Sequence, residues 1–179
     1  GYRFENVEVT GVSAADTSEF LKNETRTTSR VSPVYSFDSR DNFLNPSQGW
    51  RHVVAFEFAG LGGAKFTRSS YDITYYHPLV GKLVGAAHGK INFAEGYSGD
   101  TLPSFERYFM GGPTSLRGFT IQDIGPKDAD GDPLGGSKAL LLNLELQYPF
   151  TKSVRAFVFY DRGNVYGSGT DQSSTSKDF

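Results

Sequence analysis

Apolar and polar residues alternate along much of this chain, most clearly in the segment 139–148. Five apolar side chains fall on one face of this segment: Leu140, Leu142, Leu144, Leu146 and Tyr148. The other face is mostly polar and carries Leu141, Asn143, Glu145 and Gln147. A period of two predicts a β-strand with one wholly apolar face, because a helix would spread the polar side chains around its circumference.

Six other segments have shorter or weaker patterns that also indicate strands: 2–10, 30–40, 50–58, 66–76, 83–97 and 154–164. The connections between strands differ in length. Short ones are predicted at 42–49, 78–82 and 149–153, longer ones at 13–27 and 99–138, and a modest one at 60–65. Short turns at one end and longer loops at the other are typical of an outer-membrane β-barrel.

Two architectures explain this alternation. In a transmembrane barrel the apolar face contacts lipid, whereas in a soluble β-sandwich it packs against a second sheet. Aromatic residues near the strand ends favour the membrane, because Tyr and Trp prefer the interface; they are Trp50, Tyr75, Tyr76, Tyr148 and Tyr166. We therefore predict an all-β, antiparallel transmembrane β-barrel of about seven strands, with the β-sandwich as the alternative.

Composition narrows the class of protein further. Aromatic residues make up 15% of the chain and there are 21 glycines, which favours short strands joined by turns. The chain lacks the run of about 18 apolar residues that a transmembrane helix requires, but a barrel strand needs only about 9–11 alternating residues. A net charge of −2 argues against a partner bound through its phosphates, and nucleic acid is not an expected ligand.

Seven strands are too few for a complete barrel, which normally closes with an even number of eight or more. An open sheet would leave two edges unpaired in lipid, where unsatisfied backbone groups are costly. We therefore expect residues 1–179 to form one partial barrel domain that belongs to a larger barrel or pairs with other copies. The Ser-rich residues 173–179 are predicted to be a loop.

The predicted loop 99–138 contains Gly-Gly-Pro-Thr-Ser-Leu-Arg-Gly-Phe at positions 111–119. An arginine between Leu and Gly-Phe suits a loop tip that carries a cation to a carboxylate on the wall. Glu145 and Asp161, in the strands that follow, are the candidate partners. The predicted contact comprises Leu116, Arg117, Gly118, Phe119, Glu145 and Asp161. The alternatives are a solvated arginine and carboxylates that line a wet channel.

No catalytic, cofactor or metal site is predicted. The acidic stretch Asp128, Asp130 and Asp132 resembles a calcium loop, but Ala139 stands where the bidentate glutamate is needed. The three histidines are on separate segments, and no nucleophile elbow is present.

Several motifs resemble, in order and spacing, the BamA-type outer-membrane assembly factors. Residues 109–119 resemble the signature loop of that family, 144–150 and 157–165 resemble its following strands, and 37–50 resemble its periplasmic turn. The resemblance spans roughly residues 30–166. It implies a larger barrel of about 16 strands, preceded by POTRA domains that this chain lacks. It also implies that Arg117 folds into the lumen against Glu145 and Asp161.

The resemblance also implies a function and partners. The expected function is the non-catalytic folding and insertion of client proteins into the outer membrane of a Gram-negative bacterium. The expected partners are membrane lipid, unfolded client outer-membrane proteins and, through the absent POTRA domains, accessory assembly lipoproteins. A polypeptide-translocating pore of the two-partner secretion type is the alternative on the same barrel, and a soluble β-sandwich binding module is the alternative from another class.

Overall fold

The structure, a computed structural model, describes residues 1–9, 24–151 and 154–167. The predicted loop at 173–179 and most of the one at 13–27 therefore lie outside the described residues. The strands are β1 (Tyr2–Val9), β2 (Glu24–Val31), β3 (Val34–Asp38), β4 (Gly49–Gly63), β5 (Phe66–Pro78), β6 (Val84–Gly96), β7 (Lys138–Pro149) and β8 (Arg155–Tyr166). One short 3₁₀ helix, η1, covers Ser104–Glu106.

All eight strands belong to one antiparallel sheet in the order β1-β2-β4-β5-β6-β7-β8, with β3 paired to β4 beside β2. Among the described residues, no strand pairs with the outer edge of β1 or of β8. The all-β antiparallel prediction is confirmed. Because the described part contains a single sheet, no second sheet covers its apolar face as a β-sandwich requires.

The predicted strand 30–40 is wrong as a single element, and the described residues contain eight strands where seven are predicted for the chain. The structure divides this segment between β2 and β3, with Ser32 and Pro33 between them. Proline has no N–H to donate, which interrupts the ladder at this point. Strand β2 also starts at Glu24, inside the predicted loop 13–27, because its polar residues pair along their whole length with β1.

The predicted connection at 60–65 agrees with the pairing of β4 and β5, although β4 itself extends into it. Strand β4 continues to Gly63 and β5 starts at Phe66, so only Ala64 and Lys65 separate them. In the β4–β5 ladder the last pair is Ala59 with Phe66, so residues 60–65 still connect the two paired segments, and Gly63 pairs with Thr28 of β2.

The two faces of the sheet have the predicted polarity. The face that carries the leucines, which we call the outer face, leaves Leu140, Leu142, Leu144 and Leu146 between 38% and 48% exposed. On the opposite inner face, Leu141, Asn143 and Gln147 are buried. Apolar side chains therefore point away from the core and polar ones point into it, the reverse of the arrangement in an ordinary soluble sheet.

The long loop, residues 97–137 between β6 and β7, covers the inner face. Its Leu102 packs with Ala59, Phe66 and Ala94, and its Met110 and Leu116 pack with Leu141 and Val165. These two clusters form the buried core, which lies between loop and sheet. No helix in the described residues has the length and apolarity needed to cross a membrane.

Candidate functional site: the loop tip and the inner wall

The loop doubles back before it reaches the wall, and two glycines make this possible. Gly111 and Gly112 have φ angles of 119° and 92°. A Cβ on Gly111 would lie 2.2 Å from the carbonyl oxygen of Thr120, so a side chain cannot be accommodated there. The Ser115 hydroxyl closes the turn, since it accepts from the Gly111 N–H at 2.9 Å and donates to the Gly111 carbonyl at 3.0 Å.

This turn places Arg117 against β7 and β8. Its Nε and Nη2 donate to the two carboxylate oxygens of Asp161 at 2.7 Å and 2.6 Å, and its Nη1 donates to Glu145 Oε1 at 2.5 Å. Its backbone N–H also donates to Asp161, at 3.0 Å. Such a bidentate arginine–carboxylate pair fixes orientation as well as charge. The hydrogen bond to Asp161 raises the pKa of the Arg117 guanidinium above its ordinary value, so the group stays a cation.

The two carboxylates differ in burial. The side chain of Asp161 is 3% exposed, whereas that of Glu145 is 23% exposed. Asp161 also accepts a hydrogen bond from Asn143. Asp161 is therefore the principal partner, and Glu145 stabilises the cation from the more open side.

Asn143 is a further site residue, which is not among those predicted from the sequence. Its Nδ2 donates to Asp161 Oδ1 at 2.8 Å and to the carbonyl oxygen of Ser115 at 2.9 Å. It thus connects the loop backbone to the carboxylate that binds Arg117. Its inner-face position between Leu141 and Glu145 is the signal that could have identified it.

The rings of Phe157 and Phe159 complete the surroundings of the guanidinium. Arg117 Cζ lies 3.8 Å from the centroid of the Phe159 ring and 5.8 Å from that of Phe157. A cation over an aromatic face is stabilised by the ring quadrupole. Both rings share the parity of Asp161, so their place on the inner face follows from the strand pattern although their role does not.

The other loop residues of the predicted contact are placed differently. Leu116 is 2% exposed and packs in the core beneath the tip. Gly118 has open space where a side chain would be, and Phe119 is 53% exposed. The structure thus brings Leu116 and Arg117 to the wall, together with Glu145 and Asp161, and leaves Gly118 and Phe119 towards solvent.

A polar cavity of about 430 Å³ separates the loop tip from β4, β5 and β6. His88, on its wall, has both ring nitrogens in use, at 2.9 Å from Asn143 Oδ1 and 3.2 Å from Asp72 Oδ2. Within the described chain, no group of three or more metal-binding side chains is close enough together to hold an ion. The contacts that the structure does show at the loop tip join Arg117 and the Ser115 carbonyl to Asp161 and Asn143.

Comparisons with known proteins agree on one family. The family model of the Omp85 superfamily domain matches residues 1–179. The chain is 29% identical over 181 residues to outer membrane protein assembly factor BamA of Nitratidesulfovibrio vulgaris, covering 96% of this chain and 22% of that protein. It is 31% identical over 160 residues to the sorting and assembly machinery component 50 homolog of Homo sapiens, covering 79% of this chain and 33% of that protein.

A solved structure has the same fold. The crystal structure of BamA from Haemophilus ducreyi lacking POTRA domains 1–3 matches 82% of this chain and 31% of that one, with a TM-score of 0.75 and 25% identity. The chain spans about a fifth to a third of the length of these three proteins.

Proposed function

Because the chain belongs to the Omp85 superfamily, we propose that it forms part of the transmembrane β-barrel of an outer-membrane protein assembly factor. The observation that carries this proposal is the division of the sheet into two faces. Leucines project from the outer face, while the inner face binds the cation at the tip of a long loop. A wall that contacts lipid outside and encloses a braced loop inside requires this combination.

In this function residues 1–179 are one partial barrel domain. Further strands pair with the outer edges of β1 and β8, since an edge left open in hydrocarbon costs several kcal/mol for each unsatisfied backbone group. The inner face then lines a wet lumen that holds the loop. The location is the outer membrane of a Gram-negative bacterium.

The proposed mechanism involves no covalent chemistry. Client outer-membrane proteins enter unfolded and gain strand pairing at an openable seam of the barrel. The Arg117 contact holds β7 and β8 to the loop, so that the wall on this side stays rigid while the seam opens elsewhere. Lipid contacts the outer face, and accessory lipoproteins bind POTRA domains outside the present chain.

The test is client assembly by the whole protein reconstituted in liposomes, comparing wild type with Arg117→Ala. Folding of an unfolded client barrel is measured by its heat-modifiable mobility. Lys82→Ala, which removes an exposed cation from the β5–β6 turn, is the matched control. We expect assembly to fall for Arg117→Ala only, because the loop no longer braces the wall.

Two other results would count against this proposal. Normal assembly by Arg117→Ala would contradict the bracing role of the loop. Conductance with passage of one dedicated polypeptide, without any general assembly defect on depletion, would instead identify a two-partner secretion pore.

A further inference from the structure

The long loop has a second buried charge, at its base. Glu106 lies at the end of η1, and its side chain is 5% exposed. A carboxylate this far from water needs cationic partners, because an unpaired buried charge is strongly destabilising.

Two arginines of the inner wall supply those partners. Arg30 of β2 approaches Glu106 Oε1 at 3.2 Å and Oε2 at 3.4 Å, and Arg68 of β5 donates to Oε2 at 3.0 Å. The two strands are not neighbours, since β4 runs between them. Glu106 therefore connects the base of the loop to the first and the third of three adjacent strands, β2, β4 and β5.

The surrounding side chains hold the two arginines in position without the loop carboxylate. Arg30 also binds Glu57 of β4 at 3.1 Å and forms an ion pair with Glu5 of β1. Arg68 lies 3.7 Å from Glu57. The wall thus has two cations and two carboxylates of its own. Removing the charge of Glu106 leaves these pairs in place and affects mainly the attachment of the loop.

We infer that Glu106 is a second anchor of the loop, opposite in charge to Arg117, and that the two anchors together fix the position and direction of the loop across the inner face. The anchors use different parts of the wall: Glu106 contacts β2 and β5, and Arg117 contacts β7 and β8. This inference rests on the proposed role of the loop as a brace.

Opposite polarity explains why the loop has one docked direction. In a reversed loop, Glu106 would meet Glu145 and Asp161, and Arg117 would meet Arg30 and Arg68. Like charges brought together in a partly desolvated site are repelled, which disfavours the wrong arrangement as well as favouring the right one. Apolar contacts such as that of Leu102 have no such directional preference.

The test measures the two ends of the loop separately in the whole protein reconstituted in bilayers. Nitroxide labels are placed at exposed Thr101 near the base or exposed Thr114 at the tip, each paired with a label at Lys82 in the β5–β6 turn. Pulsed electron resonance then gives the distribution of distances from each end to the wall.

We expect Glu106→Gln, which keeps the shape and removes the charge, to broaden the distribution at the base and leave the tip unchanged. Arg117→Ala should broaden the distribution of distances at the tip and leave the one at the base unchanged. Asp130→Asn, an exposed carboxylate of the same loop, is the matched control and should alter neither. A base distribution that is unchanged in Glu106→Gln would overturn the inference.

A second set of variants tests the pairing itself. If Glu106 and Arg68 act as one unit, Arg68→Gln should also broaden the distribution of distances between the labels at Thr101 and Lys82. The double variant should then give a distribution no broader than that of either single variant. Additive broadening would contradict a direct pair. Client assembly is measured on the same samples: a loosened base with normal assembly would leave the anchor standing and remove the proposed bracing function.

Discussion

The Arg117 side chain contacts Asp161 through two of its nitrogens, and a third reaches Glu145. A planar guanidinium is suited to this, because its donors are arranged in a rigid fork that matches a carboxylate. The ring of Phe159 lies against the flat face of the same group. The contact that residue 117 makes with the wall therefore depends on the shape of the cation as well as on its charge.

This geometry separates the effects of Arg117→Lys and Arg117→Ala on stability. Lysine keeps the charge but cannot donate from two fixed nitrogens at once, so we expect a loss of roughly one charge-assisted hydrogen bond, about 1.5–3 kcal/mol. Alanine leaves Asp161 buried without its cation and should cost about 3–5 kcal/mol, less to the extent that water reaches the site. Denaturant unfolding of the barrel measures both.

The ordering of the two variants is the critical outcome. If lysine restored full stability, charge alone would account for the contact and the fork would be irrelevant. If both variants unfolded like the wild type, Arg117 would be no more than a solvated loop residue.

At the level of elements, the loop fits closely onto strand β8. Gly163 of β8 lies opposite Leu141 on the inner face, under the Met110 side chain of the loop. A Cβ at position 163 would be 2.6 Å from the Leu140 carbonyl oxygen and 2.8 Å from Met110 Sδ. The absence of a side chain at position 163 therefore lets Met110 pack closely on β8, and a Cβ there would also press on the backbone of β7.

Gly163→Ala should displace the loop from the wall and destabilise the protein by about 1–3 kcal/mol, as overpacking does. The matched control is Gly89→Ala on the outer face of β6. A Cβ there would meet only Ile73 Cγ2, at 3.4 Å, which is an ordinary contact. Unfolding measurements should show a loss for Gly163→Ala and none for Gly89→Ala; equal effects would contradict the assignment of the two faces.

At the scale of the whole molecule, the outer face of the sheet forms a large exposed apolar surface. Its large apolar side chains extend over neighbouring strands, among them Val54, Phe56 and Phe58 of β4, Ile91 and Phe93 of β6, and the leucines of β7. A continuous exposed apolar surface of this kind is rare in a soluble monomer and normal on the lipid face of a barrel.

Leu144→Arg tests this near the middle of β7. At the centre of a bilayer an arginine on the lipid face costs roughly 2–4 kcal/mol, whereas on a hydrated surface it costs little. Leu44→Arg, at a turn residue that is 81% exposed, is the control. We expect unfolding from bilayers to show the loss for Leu144→Arg alone. Equal stability of both variants would mean that the leucines do not contact hydrocarbon.

The alternation of residues predicted most of the strands and both faces of the sheet. It did so because side chains in a strand point to opposite sides in turn, so that the pattern records the two environments directly. The alternation did not predict the first half of β2, where the residues from Glu24 to Thr28 are all polar. It also did not predict the break in the ladder at Pro33, between β2 and β3. Pairing with β1 and β4 decided those limits.

Only part of the site could be predicted from the sequence. The sequence by itself determined that Arg117 lies in a polar loop and that Glu145 and Asp161 lie on the polar face of their strands. Only the tertiary structure decided that Asn143 and Phe159 complete that contact and that Glu106 meets Arg30 and Arg68. The physical reason is distance along the chain: Glu106 and Arg30 are 76 residues apart, and no local pattern records which segments a long loop brings together when it folds back onto the sheet.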